Sequence, residues 1–278
     1  MDFTKSIYDN RQALKRPLLA AHRGICGANI PCNSLAAYGI ALKSGADIVE
    51  IDVSVSKDGQ YFAFHPGMEK TFLKSRKFIK DMKADEVKSL RLYNQDGVVT
   101  HYPVPTLSEA LSFLKDKAYI NVDKFWMDVK GISDQIRKAG VEKQVIVKTN
   151  SDEKSLREVE KYASDFMYIP MVCSRDTVTQ QLLGKVNYVG AEILFSSEQD
   201  EVISDEYIAS MHEKKLLVWA NSIVYNEKAV ISAGHTDDIA MTVSQDDGWG
   251  WLVDKGVDII QTDWLSYLQA YLKNAYEK

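Results

Sequence analysis

Residues 45–65 read GADIVEIDVSVSKDGQYFAFH. Side chains alternate between the two faces of a strand, so Glu50 and Asp52, two apart on a β-branched run, point the same way. The intervening Val49, Ile51 and Val53 form the opposite, apolar face. Asp58-Gly59 is a strong two-residue turn between apolar runs, and it predicts a hairpin. Pairing Lys57 with Gln60 across that turn puts Asp52 opposite His65. Two carboxylates facing an imidazole predict a metal site with an acid or base beside it. The alternative is a half-buried strand with two solvated acids, and the apolar character of the returning strand argues against it.

Working outward, strand-like runs recur at 18–22, 47–53, 119–123, 145–149, 166–171, 188–195, 216–221 and 258–262, with 61–65 set aside as the hairpin's return. Helical patterns fall between them at 35–44, 132–139, 154–163, 205–214 and 248–255. Eight strand–helix units predict an α/β fold of the closed (β/α)8 barrel type, with chemistry at the C-terminal strand ends. An open doubly wound sheet fits less well, because no glycine-rich nucleotide loop follows the first strand. The stretch from His65 to Val104 is too long for one loop. It predicts an inserted subdomain over the barrel mouth, approximately residues 66–104 of a single 1–278 domain, with a helix over 81–92.

Strand parity sorts the polar groups. Apolar residues of the second strand should face the helices, which leaves Glu50 and Asp52 facing the barrel axis. His22 ends the first strand. In Ile120-Asn121-Val122-Asp123, the two polar residues share one face. Glu50, Asp52 and Asp123 together offer hard oxygen ligands suited to one divalent cation, Mg²⁺ or Ca²⁺, and unlike a histidine-rich zinc site. Without a cation the three carboxylates would repel, and one would take up a proton.

The ordered set His22-Arg23-Gly24, Asn33-Ser34, Gly45-Ala46-Asp47, Glu50, Asp52, Lys57-Asp58-Gly59 and His65 resembles the glycerophosphodiester phosphodiesterase family. The resemblance continues through Val104-Pro105-Thr106-Leu107, Val218-Trp219-Ala220-Asn221 and Gly256-Val257-Asp258 to Thr262-Asp263, so it spans nearly the whole chain. It implies a metal-dependent phosphoric diester hydrolase with His22 and His65 as acid and base, in an order the sequence leaves open. Glu50, Asp52 and Asp123 would hold the cation, and Arg23 would meet the phosphate. The chain departs from the family pattern at four places. Cys32 replaces a Glu, Pro66 an Asp, Asp123 a Glu, and Phe125 a phosphate-contacting Lys. Two lysines offer themselves instead. Lys124 has the wrong parity while the strand persists, whereas Lys148 sits at a polar strand end, and Lys148 is the expected phosphate contact. Glu192, flanked by apolar residues, needs a buried partner, which Lys148 or the cation would provide. Trp219 and Asn221 should line the pocket, with Trp219 either against an alcohol moiety or simply in the core. Related lipases and sphingomyelinase D-like enzymes share this site logic. The competing expectation from another class is an inactive barrel that binds phosphodiesters.

Composition fits this reading. The 278 residues are 45% hydrophobic and 26% charged, as in an ordinary globular enzyme. A net charge of -5 argues against nucleic acid as a partner and leaves a small phosphodiester open. No stretch reads as a secretory signal or a membrane span. Cys26, Cys32 and Cys173 cannot all pair, and reduced thiols in a cytoplasmic setting are expected. Oligomeric state has no sequence signal. His101 and His212 read as exposed, and His235 as part of a solvated loop.

Overall fold

The computed structural model of the chain describes residues 1–174, 184–224, 226 and 228–275. Eight parallel strands close into a barrel. The first, Leu18–Ala21, lies between the second, Ile48–Val55, and the eighth, Ile259–Thr262. The second pairs with the third, Tyr119–Asp123, and the third with the fourth, Val145–Val147. The sixth, Gly190–Ile193, pairs with the seventh, Leu217–Asn221, which returns to the eighth. The fifth strand closes the ring in two pieces. Met167–Tyr168 pairs with the fourth strand and Met171–Val172 with the sixth. Pro170 between them has no N–H to give a ladder, so the strand changes partners there. The alternating βα pattern therefore folds as the sequence predicts, with each of the eight expected runs supplying a barrel strand.

Parity also falls as expected. Val49, Ile51 and Val53 pack outward with Tyr38, Leu107 and Leu111 of the surrounding helices. Ile48 turns inward and joins Leu18, Tyr119, Ile146, Leu217, Trp219 and Ile259. The N-terminal helix Ile7–Leu14, not foreseen from the pattern, plugs the bottom of this inner core with Ile7. Asn10 Nδ2 donates to the Tyr119 hydroxyl at 2.6 Å, and Arg11 pairs with Asp258 at 2.8 Å. The bottom of the barrel is thus sealed, and polar inward residues cluster at the other end.

The hairpin forms with a different register. Val53 pairs with Ala63, Ser54 with Phe62 and Val55 with Tyr61. The connection is a three-residue loop, Lys57-Asp58-Gly59, closed by Ser56 N–H to the Gln60 carbonyl at 2.9 Å. Gly59 sits at φ +83°, the left-handed position that such loops require. Asp52 therefore stands opposite Phe64, not His65, and the Phe64 N–H donates to the Asp52 carbonyl at 3.0 Å. The ladder stops at Ala63, and the chain beyond it brings His65 back toward Asp52.

Residues beyond His65 contain the helices Glu69–Phe72 and Ala84–Ser89 and a two-stranded ribbon of Arg91–Tyr93 with Val99–Pro103. The helix expected over 81–92 is shorter. A 3₁₀ turn, Ile79–Asp81, precedes it, and Leu90 leaves the helix for extended backbone before the ribbon. Phe62, Phe64, Leu73, Ile79, Met82, Val87, Leu92 and Val104 give this segment a small core of its own. Among the described residues, no helix is long and apolar enough to cross a membrane.

Candidate active site

The second and third strands run in register, with Glu50 beside Asn121 and Asp52 beside Asp123. This alignment brings one carboxylate oxygen from each of Glu50, Asp52 and Asp123 within 4.8 Å of the others. Burial pushes the Glu50 carboxyl up to about 7, and the neighbouring Asp52 charge adds to the shift. Burial also pushes Asp123 up, but the ammonium of Lys124 outweighs it and holds Asp123 below its ordinary range.

The loop after the first strand supplies counter-charge. Arg23 adopts φ +58°, which turns its backbone N–H onto Glu50 Oε2 at 2.7 Å and its Nε onto Asp52 Oδ2 at 2.9 Å. Gly24 follows at φ +80°, and a Cβ there would lie 2.7 Å from the Ala37 carbonyl carbon, so only glycine lets loop and helix meet. Asn33 donates from Nδ2 to Asp52 Oδ2 at 2.8 Å and accepts the Asp52 N–H at 3.2 Å. The Tyr38 hydroxyl fixes the Asn33 carbonyl oxygen at 3.0 Å.

Lys124 corrects the parity argument. The strand ends at Asp123, and Lys124 takes φ +59°, ψ +20°, which breaks the alternation and swings its side chain inward. Its Nζ reaches Asp123 Oδ2 at 2.6 Å and lies 3.8 Å from Asp52 Oδ1. Phe125, at the position where the family pattern has Lys, is buried in the outer core.

Two imidazoles flank the carboxylates, each with Nδ1 occupied. His22 Nδ1 donates to Asp263 Oδ1 at 2.8 Å. Burial works to lower the His22 pKa, but the charges of Glu50 and Asp263 prevail and hold it above the ordinary value. His65 Nδ1 donates to the Pro66 carbonyl at 2.8 Å, which leaves Nε2 4.0 Å from Asp52 Oδ1. Burial dominates here and lowers its pKa. His22, Arg23 and His65 line a pocket of about 770 Å³ that opens past Ile223, Trp264 and Tyr267.

The remaining predicted site residues meet one another deeper in the barrel. Lys148 Nζ pairs with Glu192 Oε2 at 2.7 Å and lies 3.3 Å from the Trp219 ring centroid. Asn221 Nδ2 donates to Glu192, and Trp219 Nε1 donates to Asn221 Oδ1 at 3.1 Å. All four are buried, and none lines the 770 Å³ pocket, although the Lys148 charge acts on Asp123.

The carboxylate cluster suits a hard divalent cation. Its donors are all oxygens, and Asp52 Oδ1 and both amide atoms of Asn121 are buried without a hydrogen-bond partner among the described residues. Asn33, Asp263 and Lys124 are site residues whose roles the sequence did not disclose. The first two lie distant along the chain from what they touch, and the third depends on a left-handed backbone. Two other histidines differ from expectation. His235 is buried, stacks on Trp251 at 3.7 Å and bonds the Asp247 carbonyl at 2.6 Å. His212 is half-buried and bonds Asp258 at 2.8 Å.

Comparisons with known proteins agree on the fold. A family model described as a domain of unknown function matches residues 168–272. A glycerophosphodiester phosphodiesterase of Caldanaerobacter subterraneus is 31% identical over 156 residues, which cover 53% of this chain and 63% of that protein. The matched stretch is thus less than two thirds of the relative's length. A crystal structure of a glycerophosphoryl diester phosphodiesterase from Parabacteroides distasonis superposes with a TM-score of 0.76 at 20% identity, covering 97% of this chain and 92% of the other. A phosphodiesterase of Oleispira antarctica, solved in complex with the product sn-glycerol-3-phosphate, superposes with a TM-score of 0.63 at 18% identity, covering 95% and 99%.

Proposed function

We propose that the chain belongs to the glycerophosphodiester phosphodiesterase family, as its similarity to the relatives above supports, and that it hydrolyses a glycerophosphodiester to glycerol phosphate and an alcohol. The observation that carries this reading is the convergence of three carboxylates, two histidines and Arg23 at one barrel mouth. The product bound by the Oleispira antarctica neighbour supports a small-molecule substrate of this kind.

Glu50, Asp52 and Asp123 hold a divalent cation, Mg²⁺ or Ca²⁺, which when bound supplies Lewis-acid polarisation of the phosphoryl oxygens. Arg23 and Lys124 neutralise charge on the equatorial oxygens from within the cluster. Lys148, paired with Glu192 over the Trp219 ring, adds positive charge from below. The hydrogen bonds at Nδ1 divide the histidines. His65 donates to a neutral carbonyl, so its Nε2 is free of a proton and accepts one from the attacking oxygen. His22 donates to a carboxylate, which favours imidazolium, so its Nε2 protonates the leaving alkoxide. The attacking oxygen is water or the substrate's own neighbouring hydroxyl, and His65 takes its proton in either case.

The test is hydrolysis of a glycerophosphodiester by the purified chain before and after exhaustive chelation. Activity should vanish with the cation and return when it is restored. Full turnover in the chelated protein would remove the cation from the reaction, and no turnover with any cation would sink the diesterase assignment.

A further inference from the structure

Two thiols stand on the wall of the same pocket and have no part in the chemistry above. Cys26 and Cys32 belong to the loop between the first strand and the helix Leu35–Lys43. Within it, Gly27 and Ile30 exchange both backbone hydrogen bonds, at 3.0 and 2.9 Å, across Ala28 and Asn29. Residues one step further out in such a pairing, here 26 and 31, face each other at the close spacing of about 4.5 Å between Cα atoms. Cys32 is the next residue along, and its thiol makes a side-chain hydrogen bond with the Cys26 thiol, so the two sulfurs meet across the turn. Both side chains are half-buried and both line the pocket with His22, Arg23 and His65. A small disulfide entering the pocket reaches them without unfolding the loop.

We propose that Cys26 and Cys32 form a paired modification site that a glutathione-type disulfide converts to an intramolecular disulfide. The Cys26 thiolate attacks one sulfur of the oxidant, forming a mixed disulfide and releasing one glutathione thiolate. Cys32 then loses its proton and attacks the Cys26 sulfur, expelling the second glutathione. Two protein thiols are oxidised and one external disulfide is reduced. The division of labour follows from the pair itself. The hydrogen bond from Cys32 holds the Cys26 thiol below its ordinary range, while the same bond and burial push Cys32 up. The bridge acts on the site through Asn33, the residue after Cys32. Asn33 holds Asp52 by two hydrogen bonds, and its N–H donates to the Arg23 carbonyl at 3.0 Å. Tightening the loop at Cys32 therefore moves the residue that orients Asp52.

The full chain is incubated with millimolar glutathione disulfide, its free thiols are alkylated, and intact mass and peptide mapping locate the linkages. Expected is a Cys26–Cys32 bridge with no retained glutathione on either residue, and in Cys32→Ser a stable glutathione adduct on Cys26. The bridged form should cleave a glycerophosphodiester with a kcat/KM several-fold lower than the reduced form, restored by dithiothreitol, and Cys26→Ser should show no such change. Free thiols at both positions after incubation, or a wild-type adduct on Cys26 that never closes, would overturn the site. A bridged protein with unchanged kcat/KM would overturn its coupling to Asp52. The thiol chemistry is read by mass, so it stands or falls independently of the proposed hydrolysis.

Discussion

Glu50 is the buried residue at which the proposed cation, a proton and stability would meet. Its folded pKa of about 7 lies above the ordinary carboxyl value of 4.5 because burial and Asp52 disfavour the anion. The native state then binds more protons than the unfolded chain between those values. Cation-free protein should lose stability as pH rises from about 4.5 through about 7. A divalent cation neutralises the cluster and should flatten that slope, and Glu50→Gln should flatten it without cation. Thermal melting against pH, with and without cation, reads both effects; an unchanged slope in Glu50→Gln would assign it to other groups. The histidines offer a second test at this scale. General acid–base help is worth about 10²–10⁴-fold, so His22→Ala and His65→Ala should each lower kcat by about that much. A diester with a nitrophenolate leaving group needs no acid. It should rescue His22→Ala and leave His65→Ala slow, and rescue of the opposite variant would reverse the assigned roles. The convergence of the three carboxylates was legible because strand parity fixes which face a side chain takes, whereas His65 reaches Asp52 from beyond the end of the ladder, in a register the hairpin does not share with the expectation. Lys124 was not, because parity ends where the backbone turns left-handed, and nothing in Asp123-Lys124-Phe125 announces that turn.

At the scale of elements, alternation made all eight strands legible, and the errors gather where a connection decides geometry. The hairpin shows this most clearly. Asp58-Gly59 suits a two-residue turn, yet Ser56 reaches around it, with its hydroxyl accepting the Gln60 N–H at 3.0 Å and donating to Asp58 at 2.7 Å. These bonds favour the three-residue loop and shift the register by one, which changes the residue opposite Asp52. The N-terminal helix escaped notice because its inward residues are few and its polar contacts are with distant strands. Two glycines in these connections separate backbone strain from packing. Gly24 and Gly59 both have positive φ, but a Cβ at Gly59 meets nothing within 4 Å, whereas one at Gly24 strikes the Ala37 backbone. Gly59→Ala should cost about 1 kcal/mol, from φ alone, and keep its activity. Gly24→Ala should cost more and lose activity as well, because moving the loop pulls the Arg23 N–H off Glu50. Urea midpoints and kcat for the two variants check this, and equal behaviour would place the constraint in φ only.

For the molecule as a whole, the second strand links two ends with different tasks. Asp47, just before it, is bound at the bottom by Arg16, with guanidinium contacts of 2.6 and 3.3 Å, and accepts the Leu19 N–H at 2.9 Å. Asp52, five residues on, is bound at the top by Arg23. Both are arginine–aspartate pairs with little solvent contact. Removing one partner of a buried pair costs about 3–5 kcal/mol, because the other charge stays behind uncompensated. Arg16→Met should therefore lower unfolding free energy by about that amount while kcat/KM for a glycerophosphodiester holds. Arg23→Met strands Asp52 among Glu50 and Asp123, so it should lose both stability and activity. The cation distinguishes the two ends. At the proposed site it would bring positive charge to Asp52 and none to Asp47, so adding it should recover stability in Arg23→Met and not the stability lost in Arg16→Met. Denaturation midpoints of both variants with and without divalent cation give the answer. If the cation raised both midpoints equally, it would be binding elsewhere, and the separation of a stabilising bottom from a reactive top would fail for this barrel.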